Sequence, residues 1–194
     1  MLSSITPLGE RGRHNRFGVT ATAFVAGSIV GGTTLGALCG WLGSWLPERS
    51  STTDALLVVL LAVAGALLDA THVPTIKRQV NEDWLHRYRG WVYGVGFGAQ
   101  LGFGVVTVVT SAATYVAFAL AVLTGSIAAG AVVGFTFGAL RGLSLLLARN
   151  IDSPDELRTF HRRLDARAAG NARLGVILQV LIGVLAVIAL AGYA

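Results

Sequence analysis

Two ionisable residues fall within or at the ends of long apolar stretches of this sequence, Asp69 and Arg141. A charge inside a bilayer is unfavourable unless it is paired, so such residues are candidates for function. We predict that Asp69 and Arg141 are coupling charges, and an ion pair between them is one geometry that would suit this role. The alternative is that both side chains reach the polar membrane surface.

Uncharged polar residues lie beside glycines in the same apolar stretches. They are Thr33, Thr34, Gln100, Thr107, Thr110 and Ser111. A membrane helix that breaks at such a point exposes carbonyl groups that can bind an ion or solute. We therefore predict a substrate path lined by these side chains. The alternative is that Gln100 bonds a neighbouring helix and the hydroxyl groups cap their own backbone.

Residue patterns for catalysis and for metal binding are missing from the sequence. Its one cysteine, Cys39, excludes an intrachain disulfide and a zinc site built on cysteines. The histidines have no helical i, i+4 pairing, and the glycine strings lie in apolar stretches, where they indicate helix packing rather than nucleotide binding. We predict no catalytic residue, no metal site and no cofactor, so the chain is not expected to be an enzyme.

The composition is typical of a membrane protein. Of the 194 residues, 54% are hydrophobic and 13% are charged, whereas soluble domains carry about 25% charged residues. The mean hydropathy is +0.67. We predict an all-α, polytopic integral membrane helix bundle with about five transmembrane helices in the lipid bilayer. The net charge of +5 then reflects loop topology, and no nucleic-acid partner is expected.

The alternation of apolar and polar stretches predicts the order of segments. A polar lead (1–16) is followed by spans 1 and 2 (17–71) and by an amphipathic surface segment (72–90). Spans 3 and 4 cover 91–148, with a hinge at 123–126. A charged segment (149–173) then leads into span 5 (174–194). Span 1 exceeds the length of one straight crossing, about twenty residues. We expect it to be tilted, kinked at its glycines, or divided into two short helices.

Basic residues predict the orientation. In a five-span arrangement every lysine and arginine except Arg49 and Arg141 falls on one side of the membrane. Because basic residues gather in cytoplasmic loops, we expect a cytoplasmic N-terminus and a bacterial inner-membrane location. The charged segment also carries a helix start, with Ser153 as N-cap and Pro154 at the first helical position.

We also hypothesise an internal repeat. Residues 17–47 can be aligned with 97–127, and 63–70 with 136–143. Such a repeat implies a pseudo-symmetric bundle whose shared central face holds the substrate path. The alternative is chance similarity between helices that are both rich in glycine and alanine.

The second half of the sequence resembles the transmembrane domain of the CcdA/DsbD family of thiol–disulfide electron carriers. The resemblance rests on GFGAQLGFGVVTVVTSAATY and LTGSIAAGAVVGFTFGALRGLSLLL. That family works with one cysteine near the start of each repeat, where this sequence has only hydroxyl residues in its second half. A dithiol relay needs two thiols. The resemblance therefore implies a member without the redox pair, closer to the transporter-like relatives.

Two functions follow as expectations. The first is a transporter or exporter of a small solute or ion, with its path between spans 1 and 3. The second is an assembly or scaffold subunit that binds another membrane protein or a further copy of itself. Transport predicts that the polar residues of spans 1 and 3 face one cavity. A scaffold predicts that they are dispersed or tightly packed, with a face of small residues left turned to lipid.

Overall fold

The computed structural model describes residues 5–71, 83–104 and 111–193. These ranges are helical and contain no strand, which confirms the all-α class. The helices are α1 (Pro7–Gly12), α2 (Phe17–Gly43), α3 (Ser51–Ala70), α4 (Trp84–Arg87), α5 (Gly90–Phe103), α6 (Ala113–Leu123), α7 (Ile127–Leu143), a 3-10 turn (Ser144–Ala148) and α8 (Pro154–Tyr193).

Within the described ranges, three helical stretches are long and apolar enough to cross a membrane. They are Phe17–Gly43, Ser51–Ala70 and Ile127–Ala148. Two shorter apolar stretches, Ala113–Leu123 and Arg173–Ile188, fall below that length. Length and composition therefore support a helical membrane protein, while the count of five spans stays a prediction.

Span 1 is one continuous helix. With 27 residues, α2 is about 40 Å long at 1.5 Å per residue, which exceeds the hydrocarbon thickness of about 30 Å. The alternative of two short helices is therefore wrong. Two faces of α2 carry glycines, because Gly27 and Gly31 contact α5, whereas Gly32 and Gly36 contact α7.

The stretch predicted as span 3 contains two helices. Helix α5 ends at Phe103, and Gly104 follows with a left-handed backbone (φ 65°), a conformation that glycine adopts without strain. Helix α6 begins at Ala113, and residues 105–110 lie outside the described ranges. The proposed repeat would align continuous α2 with this interrupted stretch, so the fold does not support the repeat.

The hinge predicted at 123–126 is confirmed. Helix α6 ends at Leu123, Gly125 has a left-handed backbone (φ 56°), and the side chain of Ser126 accepts a hydrogen bond from the backbone N–H of Ala129 at the start of α7. A serine N-cap satisfies a backbone donor that the first helical turn leaves free. The chain therefore reverses here and returns α7 along α2.

Helix α2 is the centre of the bundle and packs on α5 and α7. Its glycine contacts make α5 parallel and α7 antiparallel to it. Helix α3 packs on α8, and α6 contacts both α2 and α3. A buried cluster closes the end of the bundle where α2 and α5 begin: Ile5, Ala21, Phe24, Leu85, Tyr93, Phe97 and Leu145.

Helix α8 joins two predicted segments, the charged stretch 149–173 and span 5. It begins at Pro154, as predicted, and the Ser153 hydroxyl accepts from the Glu156 backbone N–H. The Glu156 carboxylate accepts in return from the backbone N–H groups of Asp152 and Ser153, which is a capping box. These backbone donors stabilise the charged carboxylate and lower the pKa of Glu156 below its ordinary value.

The predicted surface segment 72–90 lies mostly outside the described ranges. Its last part forms α4, which sits against α5 rather than standing free, because the ring of Trp84 stacks on Phe97 with centroids 6.2 Å apart. Leu85 is buried in the core cluster.

Candidate functional site

Thr34 is exposed on α2, whereas its neighbour Thr33 is half-buried. Both line a surface groove of about 420 Å³, together with Ala37, Leu38, Trp41 and Ile127. The Thr34 hydroxyl donates to the carbonyl of Val30 on its own helix (2.8 Å), which is the backbone-capping alternative. The hydroxyl oxygen of Thr33 is buried without a hydrogen-bond partner among the described residues.

Gln100 does not share this groove. It lies half-buried on α5, and its side-chain carbonyl oxygen has no hydrogen-bond partner in the described part of the chain. Thr107 and Thr110 lie outside the described residues, so the structure neither gathers nor separates them. Ser111 belongs to a different junction, described below.

The predicted path between spans 1 and 3 is filled by backbone where α2 meets α5. A Cβ atom added at Gly31 would lie 2.5 Å from the carbonyl oxygen of Ala99, and one at Gly102 would lie 2.7 Å from the backbone nitrogen of Gly32. Real Cβ atoms do not approach so closely. These glycines therefore allow two backbones to touch, as small residues do in membrane helix pairs, and leave no space for a solute between them.

The contact between α2 and α7 is built in the same way. Gly32, Gly36 and Gly40 lie four residues apart and meet Gly134 and Gly130 across the interface. A hydrogen bond reinforces this contact, because the buried Ser28 hydroxyl donates to the carbonyl of Gly138 on α7 (2.8 Å).

Asp69 lies at a junction of three helices, α3, α6 and α8. Its Oδ1 accepts from the backbone N–H of Ala112 (2.6 Å), and its Oδ2 accepts from the hydroxyl of Ser111 (3.0 Å) and the amide of Gln179 (2.9 Å). We call these three side chains, Asp69, Ser111 and Gln179, the Asp69 junction. Gln179 is a partner that sequence reasoning left without a role.

Arg141 does not pair with Asp69. The guanidinium of Arg141 lies over the ring of Phe137, 5.2 Å from its centroid, whereas Asp69 is bonded to the neutral groups of its junction. The ion pair considered from the sequence is therefore wrong. A role for either residue in coupling stays a prediction.

A second polar cluster was missed entirely from the sequence. Glu10 and Tyr93 are both 0% exposed, and the Tyr93 hydroxyl donates to the Glu10 carboxylate (2.6 Å). The hydroxyl of Thr20 (2.8 Å) and the guanidinium of Arg13 (2.7 Å) donate to the same carboxylate. We call Glu10, Arg13, Thr20 and Tyr93 the Glu10 cluster.

The Glu10 cluster changes the interpretation of the N-terminal lead. Residues 1–16 were expected to be a polar lead-in, yet Ile5 and Thr6 are buried and the backbone N–H of Leu8 donates to the carbonyl of Ile151 (3.1 Å). Burial lowers the pKa of Arg13, but its bonds to Glu10 and Tyr93 outweigh that effect and raise the pKa above the ordinary arginine value. Residues 5–16 are therefore part of the folded bundle.

Sequence signals for this cluster were weak. Glu10 and Arg13 have the i, i+3 spacing of a helical ion pair, but α1 is only 6 residues long. Tyr93 is separated from Glu10 by 83 positions, so no local pattern joins them. The i, i+3 spacing of Glu10 and Arg13 was therefore the only local hint.

Neither cluster gathers several histidine, cysteine or carboxylate side chains. No group of three histidine, cysteine, aspartate or glutamate side chains forms a metal site among the residues that the structure describes. Cys39 is buried on α2, where a lone thiol packs as a small apolar side chain.

Comparison with known proteins finds a partial likeness. No family model matches the chain, and no solved structure matches it. It is 33% identical over 114 residues to the methylamine utilization protein MauF of Paracoccus versutus, over 58% of this chain and 42% of the relative. It is 36% identical over 108 residues to the protein of that name from Paracoccus denitrificans, over 53% and 39%. The match thus spans less than half the length of these relatives.

Proposed function

We propose that this chain is an assembly or scaffold subunit of a membrane protein complex. The observation that carries the proposal is the dispersal of the predicted path residues. Thr33 and Thr34 line an outward groove, Gln100 lies apart from it on α5, and Ser111 belongs to the Asp69 junction. A transport path between spans 1 and 3 would need these groups to face one cavity, but α2 and α5 meet there through backbone contacts.

The relatives support a context for this role. Both are methylamine utilization proteins by name. We therefore propose that the complex serves the use of a small amine, and that this chain supplies a membrane-embedded platform without catalysis of its own. A distant relation to the CcdA/DsbD transmembrane domain fits this proposal, but a dithiol relay within the chain does not, because it has a single cysteine.

A transporter of a small solute or ion is the competing hypothesis. It would place the path elsewhere than between α2 and α5, with Asp69 and Arg141 as its charged residues. The two hypotheses differ in what the purified protein does alone, because a transporter moves its substrate without a partner and a scaffold does not.

Site-specific photo-crosslinking in native membranes tests the proposal. A crosslinking amino acid is placed in turn at Val30, Leu60, Leu140 and Leu185, which are 60–70% exposed on four different helices: 63%, 63%, 68% and 65%. A scaffold predicts a discrete adduct of constant mass from one face and none from the others. Adducts that are absent or equally diffuse at all four positions would contradict it.

A flux measurement completes the test. The purified protein is reconstituted in liposomes, and uptake of methylammonium, sodium and chloride is followed against empty liposomes. The scaffold proposal predicts no protein-dependent flux. Flux that Asp69→Asn abolishes, in a variant that elutes as a folded protein, would replace the proposal with the transporter hypothesis.

A further inference from the structure

Among the described residues, the carboxylate of Asp69 has only neutral partners. All of its hydrogen-bond donors are neutral: a hydroxyl, a backbone N–H and a side-chain amide. No ion pair of the described residues includes it. Neutral hydrogen-bond donors stabilise the Asp69 carboxylate, and a positive charge beside it would stabilise it further.

Gln179 adds an acceptor that has no donor. Its side chain is 1% exposed, and its amide nitrogen is committed to Asp69 (2.9 Å). Its Oε1 is buried without a hydrogen-bond partner among the described residues. A buried carbonyl oxygen without a donor is unfavourable, so the amide next to Asp69 has an unused capacity to bind a positive group.

Glycines keep the junction from being filled by side chains. A Cβ atom at Gly175 would lie 3.3 Å from Oδ2 of Asp69 and 3.4 Å from the hydroxyl oxygen of Ser111. One at Gly65 would lie 3.1 Å from Oε1 of Gln179. Asp69 itself is only partly buried, so an ion can reach the carboxylate.

We propose that Asp69, Ser111 and Gln179 form a binding site for a small monovalent cation, either an alkali ion or ammonium. The carboxylate, the hydroxyl oxygen and the amide oxygen are the hard oxygen ligands that such ions take. One carboxylate among neutral ligands balances a single positive charge. Histidine, thiolate or a second carboxylate, which a transition metal or calcium would require, is absent from these three ligands.

The Gln179 amide provides the change that binding needs. It now donates to Asp69 through its nitrogen, and a half-turn of the amide group brings Oε1 to the same place. The Gln179 side chain then presents an oxygen ligand instead of an N–H donor, and no helix has to move. The cation takes over the role of the lost N–H donor toward Asp69 and satisfies Oε1 at the same time.

This inference goes beyond the proposed scaffold function and does not depend on it. A bound cation would hold α3 and α8 against the segment that leads into α6, because Asp69 lies on α3, Gln179 on α8 and Ser111 just before α6. Such a resident ion would strengthen the bundle of a scaffold or of a transporter alike.

Thermal unfolding of the full chain in detergent tests the proposal. Unfolding temperature is measured against increasing sodium, potassium or ammonium at constant ionic strength, with N-methylglucamine as the balancing cation, which is too large for the site. A ligand that binds the folded state raises the unfolding temperature with its concentration. We expect a saturable rise for at least one small cation, and binding heat for the same ion by calorimetry.

Three variants separate the site from a general salt effect. Asp69→Asn removes the charge, Gln179→Leu removes the amide oxygen, and Gly175→Ala narrows the space without removing a polar group. We expect each to weaken the apparent affinity about tenfold or more. Asp54→Asn is the matched control, since Asp54 lies on the same helix but pairs with Arg49 (2.6 Å), and it should leave the affinity unchanged.

Two results would overturn the proposal. One is an unfolding temperature that does not distinguish the small cations from N-methylglucamine in the native protein. The other is a cation effect of equal size in Gly175→Ala, Asp69→Asn and the Asp54→Asn control, which would assign the effect to ionic strength and leave Asp69 as a cap of α6.

Discussion

Glu10 shows how much one carboxylate can hold together. It has three side-chain donors from three parts of the chain: Arg13 after α1, Thr20 on α2 and Tyr93 on α5. A buried carboxylate is stabilised only when its oxygens are fully bonded, and here they are. Removing one donor leaves a buried charge short of a partner, which is more harmful than losing an exposed ion pair.

We predict that Tyr93→Phe destabilises the protein by about 1–3 kcal/mol. The change removes one hydroxyl, keeps the ring in the core cluster, and leaves Glu10 with fewer donors. Equilibrium unfolding in mixed micelles measures the effect. Because Tyr93 and Glu10 are in contact, the effect should shrink in a Glu10→Gln background.

An exposed ion pair supplies the control for this prediction. Arg11 and Asp152 form an ion pair in which both side chains are largely exposed. Such pairs contribute about 0–1 kcal/mol to stability. Arg11→Ala should therefore change stability little. If Arg11→Ala lowered the free energy of unfolding as much as Tyr93→Phe, the Glu10 cluster would stabilise the protein no more than an exposed ion pair does.

The sequence could reveal Asp69 but not Glu10, for a physical reason. A carboxylate in an apolar stretch can be recognised from the sequence, because the apolar residues beside it in the chain also surround it in the fold. Glu10 sits in a polar stretch, and its burial comes from Tyr93 and Ile5, which the fold brings to it. Gln179 is an intermediate case. Its position in an apolar span could be read from the sequence, but its hydrogen bond to Asp69 could not.

At the level of helices, the glycines of α2 determine which faces can meet. Gly36 lies at the centre of the contact with α7, where a Cβ atom would be 2.7 Å from the Cα of Gly134. Two helices at that separation cannot accommodate a methyl group without moving apart. The α2–α7 pair is therefore more sensitive to size than to polarity.

We predict that Gly36→Ala destabilises the bundle by about 1–3 kcal/mol, the usual effect of overpacking. Gly18→Ala on the same helix is the matched control, because nothing lies within 4 Å of a Cβ atom there. Alanine is the better helix former, so the control should be neutral or stabilising by up to about 1 kcal/mol. Equal losses in both variants, measured by unfolding in micelles, would refute this packing argument.

Local sequence signals located helix ends better than helix continuity. Ser153 and Pro154 predicted the start of α8, and the hinge before Ser126 followed from small polar residues. The end of α5 at Gly104 was not predicted, because an apolar sequence with many glycines suits a continuous membrane helix as well as an interrupted one. Only the left-handed backbone of Gly104 distinguishes the two.

For the molecule as a whole, helix α6 links two packing units, because it contacts both α2 and α3. Helix α2 with α5 and α7 forms one, and α3 with α8 forms the other. The antiparallel pairing of α3 and α8 has a close approach at which a Cβ atom on Gly183 would lie 3.4 Å from that of Ala62.

We predict that the double variant Ala62→Cys, Gly183→Cys forms an internal disulfide, in a chain whose Cys39 is replaced by serine. The two Cβ atoms are near the separation of about 3.8 Å that disulfides require. Oxidation should protect both thiols from a maleimide reagent, as read by a gel shift. In the matched control, Ala62→Cys is combined with Leu185→Cys, whose side chain is 65% exposed, and both thiols should remain reactive.

The sequence predicted the class of the molecule but not the arrangement of its helices. Composition and long apolar stretches lead to a helical membrane protein because lipid demands internally bonded backbone. The sequence does not indicate which helix packs on which glycine face, because several helix arrangements would bring small residues into contact equally well. The fold does not support the proposed repeat, since α2 is continuous whereas α5 ends at Phe103 and α6 begins at Ala113.

The burial of the N-terminal segment has a consequence for synthesis of the protein. Its contacts join residues that are 141 positions apart, as between Arg11 and Asp152. At roughly 5–20 residues per second, the ribosome needs on the order of ten seconds to make the intervening chain. Until Tyr93 on α5 has been made, the Glu10 carboxylate lacks one of its partners and must stay hydrated. Leu8 and Arg11 therefore reach their final contacts only after Ile151 and Asp152 have been made.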